Sequence, residues 1–273
     1  MNSVQSTDLA AVAKQIRYYT TDEIATLGVG HIGGSLSIAD LLAVLYFSEM
    51  NVDPQNPNME DRDRLVLSKG HAGPVLYATL ALKGYFPVEM LHTLNLPGTN
   101  LPSHCDMLKT PGVDMTAGSL GQGISCAVGM AKAAKIQNKD LYVYCIIGDG
   151  ESQEGQVWEA AMAAAHFKLD NLIVFLDYNR MQIDGTTDDI MSIDNPAERF
   201  KSFGFNVYDI DGHDIDAIKD SIKKAKENKG SPTMVVMRTV KGKGVSFVEQ
   251  AKVACHSMTF TEEQKQAALQ ELA

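Results

Sequence analysis

Apolar positions recur at helical spacing over residues 8–27 (DLAAVAKQIRYYTTDEIATL) and again over 37–50 (SIADLLAVLYFSEM), where Ser37 stands at the place of a helix cap. Between the two predicted helices lies Gly28-Val29-Gly30-His31-Ile32-Gly33-Gly34, too rich in glycine to continue either. Leu65–Leu67 reads as a short apolar strand, followed by a loop with Gly70 and His71 and a helix from about Pro74. Residues 95–115 hold three Pro and two Gly without periodicity, which predicts a long surface loop. GSLGQGISCAVGMAKAAKI then turns from glycine-rich loop into a helix of small residues.

The middle of the chain alternates strand 141–147, the loop GDGES, helix 153–167 and strand 171–179, which is one β-α-β unit. Strands 205–210 and 233–240 flank a helix over 214–228, and TFTEEQKQAALQELA ends the chain as a short helix with a Thr cap. Crossovers of this kind predict an α/β fold, a mainly parallel sheet with helices on both faces. No repeat or linker divides the chain, so residues 1–273 are expected to form a single domain.

Composition is that of an ordinary globular protein, with 45% hydrophobic and 21% charged residues. The formal charge of -10 changes the picture: so acidic a surface repels phosphate backbones, which argues against a nucleic-acid partner. A polyanionic ligand must then be held by a bound cation, by backbone N–H groups or by a few placed His and Lys residues. No basic leader precedes an apolar stretch, and no run approaches the ~18 apolar residues of a membrane span, so a cytoplasmic protein without a membrane partner is expected. Cys105, Cys126, Cys145 and Cys255 are scattered without a C-x-x-C pair and read as buried reduced thiols.

Two glycine motifs compete for the chemistry. Gly28-x-Gly30-x-x-Gly33 has the spacing of a dinucleotide fingerprint, but a helix precedes it where a strand is required. Gly148-Asp149-Gly150 stands at the carboxyl end of a predicted strand, and Asn179 closes the next strand 30 residues after Asp149. Ligands of open α/β sheets bind at that edge, and an Asp carboxylate with an Asn carbonyl leaves coordination positions for backbone, water and phosphate oxygens, as Mg²⁺ prefers. The glycines admit phosphates to the backbone, and a helix beginning near Ser152 is expected to offer its positive end.

The span from Gly-Asp-Gly to Asn is similar to the thiamine diphosphate signature. Gly30-His31-Ile32-Gly33-Gly34-Ser35-Leu36, Ser68-Lys69-Gly70-His71-Ala72, Gly118-Ser119-Leu120-Gly121-Gln122-Gly123 and Gln153-Glu154-Gly155 follow in the order seen in transketolases. The chain thus resembles the transketolase family, in particular the diphosphate-binding subunit of the split type made of two chains. The resemblance implies thiamine diphosphate and Mg²⁺ (or Ca²⁺) as cofactors, with Asp149, Asn179 and the main-chain carbonyl of Met181 as metal ligands. It implies cofactor contacts from His71, Gly118, Leu120, Gly148, Asp149, Gly150, Glu154, Asn179 and Ile183.

By the same resemblance His31, His71, His104 and His256 line the substrate channel, where a group with an ordinary pKa near 6.5 can move protons on and off hydroxyls. Glu154 and Glu159 fall at a dimer interface, where acidic residues link two cofactor sites. His256 departs from the family pattern, being followed by Ser257-Met258 where Gly and a nearby Pro are usual. His92 and His166, on predicted helices, and His213, in a predicted turn, are expected to have no part in the site. The implied reaction is transfer of a two-carbon ketol unit from a ketose phosphate to an aldose phosphate. The alternatives are an unusual branched or sulfonated donor, or a cofactor-binding subunit without catalysis. The expected partner is a C-terminal transketolase subunit carrying the pyrimidine-binding domain, two copies of each chain forming the assembly.

Overall fold

The computed structural model describes residues 7–273. Its strands are β1 (Val29–Gly30), β2 (Arg64–Leu67), β3 (Val143–Gly148), β4 (Leu172–Tyr178), β5 (Asn206–Asp211), β6 (Thr233–Arg238) and β7 (Met258–Thr259). Five of them form one sheet in the order β2-β3-β4-β6-β5, and every neighbouring pair is parallel. β1 and β7 form a separate antiparallel ribbon.

Strands buried on both faces must be apolar throughout, and β4 is buried at all seven positions. Because side chains alternate, Tyr144, Ile146, Phe175 and Met237 join a core on one face with the helices Leu9–Leu27, Ala39–Val44, Gly73–Lys83 and Ile215–Glu227. Cys145, Ile147, Val174 and Val236 join a second core on the other face with the helices Gln122–Ile136, Gly155–His166 and Pro196–Ser202. Local chemistry sets the helix limits. Asp8 caps the first helix by accepting from the N–H groups of Ala10 and Ala11, and Gly28 ends it at φ 89°. Thr261 and Gln264 form a capping box at the start of the last helix, Glu262–Leu272.

Two predicted helices begin differently. The pattern over 37–50 becomes the helix Ala39–Val44 and a π-helical turn Leu45–Glu49, and a short helix, Ile32–Leu36, begins inside the glycine-rich segment before it. Ser37 does not cap, because its hydroxyl donates to the Gly34 carbonyl and to Asp177. After β3 the chain makes a 3₁₀ turn over Glu151–Gln153, and the α-helix starts at Gly155 instead of near Ser152. Glu151 causes this: its carboxylate turns back to the N–H groups of Gly121 and Gly148. The four cysteines are free thiols, three buried and Cys126 half-buried. No helix among the described residues is long and apolar enough to cross a membrane.

Candidate functional site

Register builds the first wall. Gly148 pairs with Asp177, so Asp149 and Asn179 both emerge just beyond the carboxyl ends of β3 and β4. Asp149 is 2% exposed and accepts from the N–H groups of Gly150 (2.8 Å) and Arg180. The Asn179 amide is oriented from both sides: Nδ2 donates to Asp177 at 2.9 Å, and Oδ1 accepts from the Met181 N–H at 3.0 Å. Between them Arg180 holds φ 63°, a left-handed conformation uncommon for a side chain of its size, which turns its N–H toward Asp149. Burial, with the Asp177 charge beside it, pushes the Asp149 carboxyl up to about 7. A divalent cation would reverse that push. The Asp149 carboxylate, the Asn179 amide oxygen and the Met181 carbonyl are hard oxygen donors suited to Mg²⁺ or Ca²⁺. Among the described residues no group of three or more His, Cys, Asp or Glu could hold a metal ion, so a cation would depend on this mixed set.

The second wall is assembled from four separate segments. The β1–β7 ribbon pairs Gly30 with Met258, which brings His31 and His256 together with ring centroids 5.4 Å apart. His71 lies 5.3 Å from His31 and 5.0 Å from His256, and His104 lies 5.9 Å from His31. Close approach of backbones makes this possible. A Cβ on Gly70 would stand 2.5 Å from the Ala117 carbonyl oxygen, and one on Gly33 would stand 2.5 Å from Cys255 Sγ. Burial and then the nearby Lys69 charge drive His71 down to about 2. Burial and then Lys241 drive His256 to about 4, and burial lowers His31 as well. These three rings are neutral at pH 7. The ring distances place His256 in the cluster despite the unusual residues that follow it.

Four further groups hold this arrangement, and the sequence motifs assign none of them a role. Lys69, 2% exposed, donates to Asp177 and to the Gly34 carbonyl, both at 2.6 Å. Asp177, fully buried, also accepts from Ser37, Asn179 and Thr239, and these partners outweigh desolvation to keep its pKa low. Glu151 clamps three loops, taking hydrogen bonds from Ser68, Gly121 and Gly148. Lys241, 4% exposed, donates to the Met181 carbonyl at 3.0 Å and lies 3.3 Å from His256 Nδ1. One signal was available in the sequence: Asp177 is the single charge in the apolar run LIVFLDY.

The two walls enclose a cavity of about 370 Å³. His31, His71, His104, His256, Gly118, Leu120, Gly148, Asp149, Gly150, Glu154, Asn179, Met181 and Ile183 all line it. Glu159 does not; it is exposed on the helix Gly155–His166, away from the cavity. The fit to a phosphate-bearing cofactor is physical: Gly148 and Gly118 line the cavity without side chains, and a Cβ at either would take up space beside Glu151 or His104 at ordinary contact distance, 3.8 Å. Hard oxygens stand beside it for a cation, and the volume suits part of a small molecule.

The family model described as "Transketolase, thiamine diphosphate binding domain" matches residues 9–272. The chain is 56% identical over 270 residues to the 6-deoxy-6-sulfo-D-fructose transketolase subunit SqwG of Clostridium sp. (strain MSTE9), covering 99% of this chain and 98% of that one. It is 40% identical to one of the apulose-4-phosphate transketolase subunits of Phocaeicola vulgatus, covering 87% and 84%. Among solved structures it resembles transketolase from Leishmania mexicana, with a TM-score of 0.90 at 32% identity, and that from Campylobacter jejuni, with 0.89 at 33%. It covers 97% of itself in both comparisons but only 41% and 42% of those longer chains. A match over nearly the whole chain, with the cavity at the sheet edge where its motifs meet, makes this protein a member of the transketolase family, corresponding to its thiamine diphosphate binding domain.

Proposed function

We propose that the chain is the diphosphate-binding subunit of a split transketolase, folded as one domain, acting in the cytoplasm in carbohydrate metabolism. The complex transfers a two-carbon ketol (glycolaldehyde) unit from a ketose phosphate to an aldose phosphate. The observation that carries this reading is one cavity with hard oxygens on one wall and neutral imidazoles on the other. Asp149, Asn179 and Met181 hold Mg²⁺, and Gly148 and Gly150 receive the diphosphate. Bound thiamine diphosphate supplies the carbon nucleophile. His31, His71, His104 and His256 accept and return the protons of sugar hydroxyls, a task that requires them uncharged at the start. Lys69 and Lys241 offset the negative charge that an acidic chain would otherwise turn toward a polyanion.

The other half of the site belongs to a partner carrying the pyrimidine-binding domain, consistent with the length of the solved transketolases. Two copies of each chain assemble, and the exposed Met162, 57% accessible on the small-residue helix Gly155–His166, supports that face as the interface at which Glu154 and Glu159 meet a second site. A second reading concerns the donor. The 56% identity to a sulfofructose transketolase subunit favours a ketose with a sulfonate in place of the phosphate. Ketol transfer by the co-expressed pair, assayed with sugar phosphate and sulfonated ketose in parallel, tests both. The isolated chain should be inactive. Robust turnover by that chain alone would overturn the split-site reading, and a sulfonate preference of ten-fold or more in kcat/KM would decide the donor.

A further inference from the structure

His213, in its turn, is expected to have no part in the site, yet its imidazole is held at both nitrogens. Nδ1 lies 2.8 Å from Asp40 Oδ2, and Nε2 accepts from the Val240 N–H at 2.9 Å. Since Nε2 accepts, the ring proton is on Nδ1 and points at the carboxylate. Asp40, 6% exposed, is fixed from the other side by Arg17, which donates from Nη1 to Oδ1 at 3.1 Å and from Nη2 to Oδ2. Burial opposes the Asp40 charge, but hydrogen bonds from His213 and Arg17 outweigh it and keep the carboxylate ionised. The His213 side chain is only 14% exposed and lies outside the cavity.

The peptide that His213 grips belongs to the turn after β6. Its next residue is Lys241, whose ammonium enters the cavity between the Met181 carbonyl and His256. On the far side of Lys241 the Gly242 N–H donates to the Gly33 carbonyl at 3.0 Å. A notional Cβ on Gly244 would stand 3.0 Å from Arg17 Cδ, so the same arginine also supports the end of the turn. Lys241 is thus clamped on each side of its Cα, and one clamp is a buried Arg17–Asp40–His213 chain contributed by elements that do not touch the site. A flexible lysine with 4% exposure and a burial-lowered pKa keeps a fixed place only if its backbone is fixed.

We propose that His213 is a positioning residue for the active site, holding the turn that delivers Lys241 to the Met181 carbonyl, one of the oxygens proposed to bind the cation, and to His256. It rests on the proposed reading for its effect on cofactor binding, though not for the clamp itself. Hydrogen exchange on the full chain tests the clamp: His213→Ala should speed exchange across Val240–Gly244 by about ten-fold or more. Titration of the assembled complex with thiamine diphosphate in Mg²⁺ tests the consequence. His213→Ala should weaken affinity by about ten-fold, the low end for lost outer-shell support. His213→Gln, whose amide can both accept from Val240 and donate to Asp40, should recover most of it.

The deciding measurement is the same substitution in a Lys241→Ala background, where a residue acting only through Lys241 has no further effect on affinity. An equal loss with and without Lys241, or a Gln variant as weak as Ala, would overturn the proposal. If His213→Ala does not fold, Asp40→Asn takes its place in the same cycle with the same expected results. A wild-type complex that binds no thiamine diphosphate would sink the functional reading, while the exchange result would still decide the clamp.

Discussion

The wall on β3 and β4 and the wall around the β1–β7 ribbon face each other across one cavity, yet they are built by opposite means. The first is local: two neighbouring parallel strands deliver Asp149, Asn179 and Met181 from one β-α-β unit, and strand register fixes their spacing. It stores an electrostatic conflict, with Asp149 pushed up to about 7 beside Asp177. The second is composite, with each of four histidines coming from a different segment, and burial favours the neutral form of His31, His71 and His256. An acidic chain gains from this division. On the proposed function, positive charge would be concentrated in a cation and two buried lysines beside the phosphates, and the rings proposed to exchange protons would start uncharged.

If the walls differ in this way, damage to each should read out differently. The largest expected effect is on the oxygen wall. Replacing Asp149 by Ala removes the only carboxylate among the three oxygens proposed to hold the cation, and affinity of the assembled complex for thiamine diphosphate in Mg²⁺ should fall on the order of a hundred-fold, about 2.7 kcal/mol. Calorimetry showing unchanged affinity would dissolve the distinction. On the nitrogen wall, Ala replacements of His31, His71 or His104 should leave cofactor affinity near wild type while kcat falls by at least about ten-fold, toward the roughly hundred-fold or more of a lost proton transfer. Thermal midpoints should move by only a few degrees, since these rings sit in loops at the edge of the core. A variant that loses binding and activity together would show that the imidazoles build the cofactor site instead of serving the substrate.

The same contrast explains what could be read from the chain beforehand. The sheet, the Gly148-Asp149-Gly150 turn and Asn179 were legible because strand periodicity and a fixed 30-residue spacing carry them locally. The histidines were legible only through resemblance, because no local pattern announces that β1 and β7 will pair. Lys241 and His213 were not legible, since their meaning lies in contacts across the fold with Met181, His256, Asp40 and Val240. Ser37 failed as a predicted cap for a related reason: a tertiary partner, Asp177, outcompeted the local N–H groups.

The smallest expected effect concerns acid stability, and its sign separates the walls again. His71 and His256 sit at about 2 and about 4 in the folded chain, whereas in the unfolded chain they titrate near the ordinary 6.5. As pH falls below 6.5 the unfolded chain takes up protons that the folded chain refuses, so these residues destabilise the fold progressively. The loss from His256 stops growing near 4, and that from His71 continues toward 2. Asp149 acts oppositely when no cation is bound: its folded value of about 7 exceeds the unfolded 3.8, so protonation of the folded chain adds stability as pH falls through the same window. The two contributions partly cancel in the wild type, and a simple melting series would hide both. Comparison with His71→Asn removes one of them. Between pH 6.5 and 5 the variant's thermal midpoint should rise relative to wild type by a few degrees, before most carboxylates begin to titrate. Parallel curves for the two proteins over that range would mean that the His71 ring charges freely in the folded state and that the nitrogen wall is not held neutral.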